Sequence, residues 1–353
     1  MTIFVYVIIV CSCLLFRRSK TIYYITLLFL FILFGGNLDN TDRHIYESRF
    51  YQYDDEIYLA ITEPVYTELM KALNKIGLEL QHYIALVAFF FFYSVNRILN
   101  RFTLFGCFVL GFYMLTEFFF DVVQVRYSTG LIFLYLGFYY LLTEKEKRKA
   151  ITFYVVLVLC GSLFHFSIAY YLLFALTRIL SPLQCCIFVI AFVLFFGILL
   201  HFLSEYAEIL AISHKLETIE RGAFEMSKAR LIFIRIRILF FETIPFIFLM
   251  ITYRKQLSKD LFLMIFFKSS ILLWTAVPLL YISLDFHRTY FAMMIFIIMS
   301  LSRIMMIKKR KKIIVYAFSF LTILSFVYDM YIKNAGFIQK NVILPVLTQN
   351  MIL

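Results

Sequence analysis

"AITFYVVLVLCGSLFHFSIAYYLLFALTRIL", residues 150–180, decides how this chain is threaded. The stretch is continuously apolar, yet it carries one imidazole, His165, near its middle. Its 31 residues are too few for two full membrane spans, since each needs about 20. Whether it crosses once or folds back therefore sets the side on which everything after it lies.

The rest of the sequence makes a bilayer the expected solvent. Of 353 residues, 63% are hydrophobic, 20% aromatic and 16% charged, with a mean hydropathy of +0.88. That charge content falls well below the quarter or so of a soluble domain. Apolar runs recur from end to end without alternation, which predicts an all-α polytopic membrane protein rather than a strand-built one. A net charge of +12 does not signal nucleic acid, because the lysines and arginines cluster in short loops where they set topology. Cys11, Cys13, Cys107, Cys160, Cys185 and Cys186 sit in apolar runs without metal spacing and read as small hydrophobes. The opening run has its positive charges after it, so it is expected to be a first span and not a cleaved signal.

Spans are expected near 2–16, 21–36, 81–97, 102–120, 124–142, 182–203, 231–252, 260–281, 289–307 and 313–331. Basic clusters at Arg17–Lys20, Arg97–Arg101, "TEKEKRK" (143–149), "YRKQLSK" (253–259) and "KKRKK" (308–312) mark the cytoplasmic side. A single crossing at 150–180 would put the last two clusters outside. Two short legs bent at "GSLFHFS" (161–167), with Arg178 returning to the cytoplasmic face, put both inside. Such a bent hairpin must be buried in protein or line a wet cavity. The expectation is thus one integral-membrane domain over 1–353, with about twelve crossings and both termini outside. Outer loops 37–80 and 204–230 each carry an amphipathic surface helix. In the first, Pro64 opens the helix, Val65, Leu69, Leu73 and Ile76 form its apolar face, and Gly77 ends it. In the second the face is Tyr206, Ile209, Ile212, Leu216 and Ile219.

An ionisable residue deep in a span costs about 2.5–3.5 kcal/mol, so each asks for a reason. Arg126, His165 and the pair His287–Arg288 fall on three segments at one depth, near the outer face. Singly, each has a plain explanation: an arginine snorkels to headgroups and a histidine makes a helix contact. Together they suit an anionic, lipid-borne substrate. Arginines can hold phosphate oxygens and stabilise a departing diphosphate, and a near-neutral histidine can take an acceptor proton or orient a donor. No Ser-His-Asp triad, phosphate-binding glycine loop or metal cluster is evident, so no cofactor or metal is expected. Glu242 and Lys268, mid-span at similar depth, are expected to form a structural ion pair. Glu117 and Asp121 are placed to orient Arg126 or to serve structure alone.

The motifs "NTDRHIYESRF" (40–50), "EPVYTELMKAL" (63–73), "VQVRYSTGLIFLYLGFYYL" (123–141), "GSLFHFSIAYYLLF" (161–174) and "FHRTYF" (286–291), in this order, resemble the EpsG-like family over nearly the whole chain. These are membrane proteins of bacterial exopolysaccharide, capsule and O-antigen synthesis, regarded as Wzy-type repeat-unit polymerases. The resemblance implies glycosyl transfer between two undecaprenyl-diphosphate-linked oligosaccharides at the outer face of the bacterial cytoplasmic membrane. A flippase and a chain-length regulator would be the partner proteins. The family's patterns fall on Asp42 and Tyr46, on Glu63, Pro64 and Tyr66, on Arg126 and on His165; taken with the membrane charges, catalytic roles are expected of His165, Arg126 and Arg288, and substrate binding of Asp42, Tyr46, Glu63, Tyr66, Tyr127 and His287. Two departures stand out: Asn40 replaces a glycine of the pattern, and Tyr127 stands where glutamine is common. Rival readings are a different lipid-phosphate-dependent glycosyltransferase, with Asp42 or Glu63 as its base, an O-antigen ligase, a flippase or exporter, and a polysaccharide acyltransferase.

Overall fold

The computed structural model describes residues 2–51, 63–206, 228–253, 255, 258–280, 286, 288–307 and 339–351. Among them the chain is helical throughout, apart from one antiparallel bridge between Asn37 and Asn350. In chain order the first helices are α1 (Thr2–Leu15), α2 (Lys20–Gly35), α3 (Arg43–Tyr51), α4 (Pro64–Lys75) and α5 (Leu80–Phe102). Next come α6 (Gly106–Leu115), α7 (Phe118–Val123), α8 (Val125–Thr143) and α9 (Lys147–Ser162). After a 3-10 helix over Phe166–Arg178 follow α10 (Pro182–Tyr206), α11 (Lys228–Thr252), α12 (Leu261–Leu272), α13 (Arg288–Ile307) and α14 (Leu344–Thr348). Three described helices, Leu80–Phe102, Pro182–Leu199 and Leu261–Leu279, are long and apolar enough to cross a membrane. The expected span at 313–331 and most of the expected helix at 204–230 lie outside the described residues.

The hairpin at 150–180 solves its length problem by changing helix type. Its ascending leg is the 16-residue α9 and its descending leg the 13-residue 3-10 helix. A 3-10 helix rises about 2.0 Å per residue against about 1.5 Å for an α-helix, so the legs reach about 26 and 24 Å. The two legs are matched in length. Ile168, Tyr171, Phe174 and Thr177, spaced every three residues, are all buried, which is the periodicity of a three-residue turn. At the foot of the leg Arg178 donates to the Glu144 carbonyl at 2.8 Å, returning it to the level where the hairpin began.

Residues beside four of the basic clusters meet at this same end; 308–312 lies outside the described residues. Arg303 pairs with Asp260 and also donates to the Phe102 carbonyl at 2.9 Å. Thr103 and Ser302 share a hydrogen bond of 3.0 Å, and Tyr23 donates to Asn96 at 2.9 Å. The residues flanking 17–20, 97–101, 143–149 and 253–259 thus share one end of the bundle. The start of α1 and the described residues 344–351 are at the other end. Tyr6 donates to the Met114 carbonyl at 2.6 Å. Leu38 and Met351 exchange backbone bonds of 2.9 and 2.7 Å with Gln349 and Gly36.

Two expectations are revised, and the expected Glu242–Lys268 pair rests on a side chain outside the described residues. The span expected over 102–120 is broken into α6 and α7 at Thr116, whose hydroxyl turns back to the Phe112 carbonyl at 2.8 Å. Helix α4 buries Tyr66 and Met70 and packs Leu69 and Leu73 against the core, whereas Val65 and Ile76 are exposed. Its inward stripe includes a tyrosine that a purely apolar pattern passes over. Lys268 donates to the Thr177 carbonyl at 2.7 Å, so it supports the 3-10 leg.

Candidate active site

Arg126 sits on the first turn of α8, beside the bend of the hairpin. The bend reaches it because Gly130 and Gly161 let the two backbones touch. A Cβ on Gly161 would lie 2.8 Å from the Gly130 carbonyl, and one on Gly130 would lie 2.6 Å from Ile168. This contact carries His165, the extended residue preceding the 3-10 helix, onto Tyr127, with ring centroids 5.3 Å apart and edge to face.

The first outer loop closes over the same point. Arg126 Nη1 forms an ion pair with Glu63 Oε2 at 2.5 Å. Glu63 immediately precedes α4, so Pro64 in the first helical turn aims the carboxylate inward. The guanidinium also lies 5.6 Å from the Tyr66 ring centre and 5.9 Å from that of Tyr46, both within cation–π range. The other Glu63 oxygen faces His165 Nε2 at 4.0 Å. Tyr46 is buried and donates to the Val123 carbonyl at 3.3 Å. Among the described residues, the Tyr66 hydroxyl and Arg126 Nε are buried without a hydrogen-bond partner, as expected of groups that bind something else.

Asn40, where the family pattern has glycine, braces the loop with its side chain. Its side-chain oxygen accepts from the Asp42 backbone N–H at 3.0 Å and its amide donates to Asn37 at 2.8 Å. Asp42 is thereby pinned at the start of α3, half-buried and within the fields of Arg288, Arg126, His44 and Arg49. Burial raises its carboxyl above the usual range, and the neighbouring arginines, Arg288 foremost, offset part of that rise. His165 behaves oppositely: burial first, then Arg288 and Arg126, hold its pKa well below the ordinary value, so it is neutral at pH 7.

Arg288 opens α13, and its position is set through its own backbone. The Tyr127 hydroxyl donates to the Arg288 carbonyl at 2.9 Å and lies 2.9 Å from the Tyr171 hydroxyl. Tyr171 reaches the Thr289 carbonyl at 3.0 Å. Asp42, Tyr46, Glu63, Tyr66, Arg126, Tyr127, His165 and Arg288 therefore form one cluster; His287 lies outside the described residues. Asp121 does not serve Arg126. It accepts from Tyr113 at 2.8 Å, and Glu63 is the acid that holds the arginine. Sequence reasoning assigned no role to Ser167, whose hydroxyl lies 2.8 Å from His165 Nδ1, or to Tyr171. The His-x-Ser spacing was visible, but not the bond across it.

Two arginines, a buried glutamate, a half-buried aspartate and a neutral histidine meet at one end of an apolar helical bundle. The chain belongs to the EpsG family, whose model matches residues 20–345. That family is associated with polysaccharide synthesis by polymerase-like glycosyltransferases. Comparison with curated proteins and with solved structures gave no match.

Proposed function

We propose that this chain is a polysaccharide repeat-unit polymerase of the bacterial cytoplasmic membrane. It crosses that membrane about twelve times and joins undecaprenyl-diphosphate-linked oligosaccharides at the outer face, working with a flippase and a chain-length regulator. The carrying observation is the convergence of Arg126 and Arg288 with Glu63, Asp42 and His165 at the end of the bundle opposite the basic clusters. In the reaction, an acceptor sugar hydroxyl attacks the anomeric carbon of the lipid-linked donor. A new carbon–oxygen bond forms, the bond to the diphosphate breaks, and its electron pair leaves with the lipid diphosphate. Arg126 and Arg288 face that developing charge, and removing such a donor typically costs about 10²–10³ in rate. The acidic residues and His165 receive the acceptor.

The test is surface polysaccharide in a deletion strain carrying the intact protein, Arg126→Ala or His165→Ala at matched membrane levels. A ladder of lengths from the intact protein and single repeat units from the variants are expected. Long lipid-linked polymer in the variants would make the protein a ligase, and loss of outward-facing repeat units would make it a flippase. A normal ladder from both variants would remove the site altogether.

A further inference from the structure

We propose that the Glu63 carboxylate holds His165 as the Nε2–H tautomer, with the Ser167 hydroxyl donating to Nδ1, and that His165 and Glu63 together grip the acceptor hydroxyl, the imidazole donating to it and the carboxylate taking its proton. This rests on the glycosyl-transfer function above and reverses the obvious role of the histidine, from base to donor.

Geometry decides the tautomer. Ser167 Oγ lies 2.8 Å from Nδ1, and Nε2 faces Glu63 Oε1 at 4.0 Å. With the proton on Nδ1, an Nε2 lone pair would confront a carboxylate, two acceptors across a gap shielded from water: the His165 and Glu63 side chains are only 14% and 7% exposed. With the proton on Nε2, an N–H faces the carboxylate and the Ser167 hydroxyl donates to Nδ1, so every group is matched. Tyr127 packs against the imidazole ring and limits its rotation.

The 4.0 Å separation is too long for a direct hydrogen bond. It suits one oxygen placed about 2.8 Å from both atoms. A sugar hydroxyl there accepts from Nε2–H and donates to Oε1, which orients its lone pair for attack. As the glycosidic bond forms, the hydroxyl proton passes to Oε1. Arg126 engages Oε2, so the carboxylate cannot rotate away. Ser167 never touches substrate and acts as a positioning residue.

Two measurements test this on the full-length protein in lipid nanodiscs. The first is nitrogen-15 NMR of histidine-labelled protein, with the His165 signal assigned by its loss in His165→Gln. At neutral pH the native chain and Ser167→Thr should show protonated Nε2 and bare Nδ1, and Glu63→Gln should show a mixture. A protonated Nδ1 or an imidazolium in the native chain overturns the proposal. The second is polymer formation from a lipid-diphosphate-linked oligosaccharide. His165→Gln, whose amide N–H can stand in for Nε2–H, should lose only about tenfold. His165→Ala and Glu63→Gln should each lose at least about a hundredfold. If His165→Gln is as inactive as His165→Ala in correctly folded protein, the imidazole is the base and the proposal fails. The spectrum reports the tautomer whether or not polymer forms. The expected spectrum with no polymer from the native chain would overturn the polymerase function alone.

Discussion

The Tyr127 hydroxyl donates to the Arg288 carbonyl at 2.9 Å, across 161 residues of chain. The same hydroxyl touches Tyr171, so one phenol joins α8, the 3-10 leg and the start of α13. Tyr127→Phe keeps the ring against His165 and deletes only this junction. It should lower stability by about 1 kcal/mol and shorten the polymer ladder more than that loss explains, because Arg288 shifts. Thermal melting of detergent-solubilised protein and ladder length in cells are the two readouts. Full-length polymer from the Tyr127→Phe variant would show that the junction does not position the arginine.

Arg126 and Glu63 are paired in a site shielded from water, so removing one partner strands the other. Glu63→Gln and Arg126→Gln should each destabilise the chain. The double variant should be less destabilised than the sum of the two, by about 1–3 kcal/mol. Strict additivity in denaturant melts would mean that the pair carries no coupling. All three variants should lose polymerisation, since the arginine is also the phosphate ligand proposed above.

Gly130 and Gly161 hold the bend of the hairpin against α8. Gly161→Ala should cost about 1–3 kcal/mol through overpacking and push His165 away from Glu63. Activity should fall further than after a substitution at Gly77, where a Cβ meets nothing within 4 Å but φ is +79°. A cysteine cross-link between α8 and α9, compared with and without the alanine, reports the displacement directly.

Asp42 and His165 give opposite pH signatures. The folded pKa of Asp42 lies above its unfolded value, so stability declines as pH rises from about 4 through the raised pKa. Asp42→Asn should therefore melt higher than the native chain at pH 7, lose that advantage at pH 4, and make little or no polymer. The folded pKa of His165 lies below its unfolded value, so stability declines as pH falls beneath about 6.5. His165→Gln should lose less on going from pH 7 to pH 5 than the native chain does. Parallel melting curves for native and variant proteins across this range would contradict both assignments.

The return of the hairpin was legible because loop charge and span count are coupled: an expectation that 253–259 shares a side with 143–149 makes the chain fold back between them. Once it returned, Arg126, His165 and Arg288 had to share an end, and the motif residues Asp42, Tyr46, Glu63 and Tyr66 joined them. What the sequence hid were contacts set by close approach and local geometry. Ser167 meets His165 only because the backbone turns sharply between them, and Tyr171 meets Tyr127 only because two glycines allow the backbones together. The inward face of α4 escapes an apolar pattern because Tyr66, a residue with a polar hydroxyl, is part of it. The break at Thr116 leaves no apolar signature, since both flanking pieces are equally greasy.

The long 3-10 leg has a consequence for how this chain can vary. Its buried row recurs every three residues, so deleting or inserting one residue turns everything beyond the change by a third of a turn. Tyr171, Phe174 and Thr177 would then leave the core together, and the foot at Arg178 would miss Glu144. A change of three restores the row but shifts the foot by about 6 Å. Relatives that keep this helix should therefore hold the His165–Arg178 interval fixed, even where the side chains between drift freely.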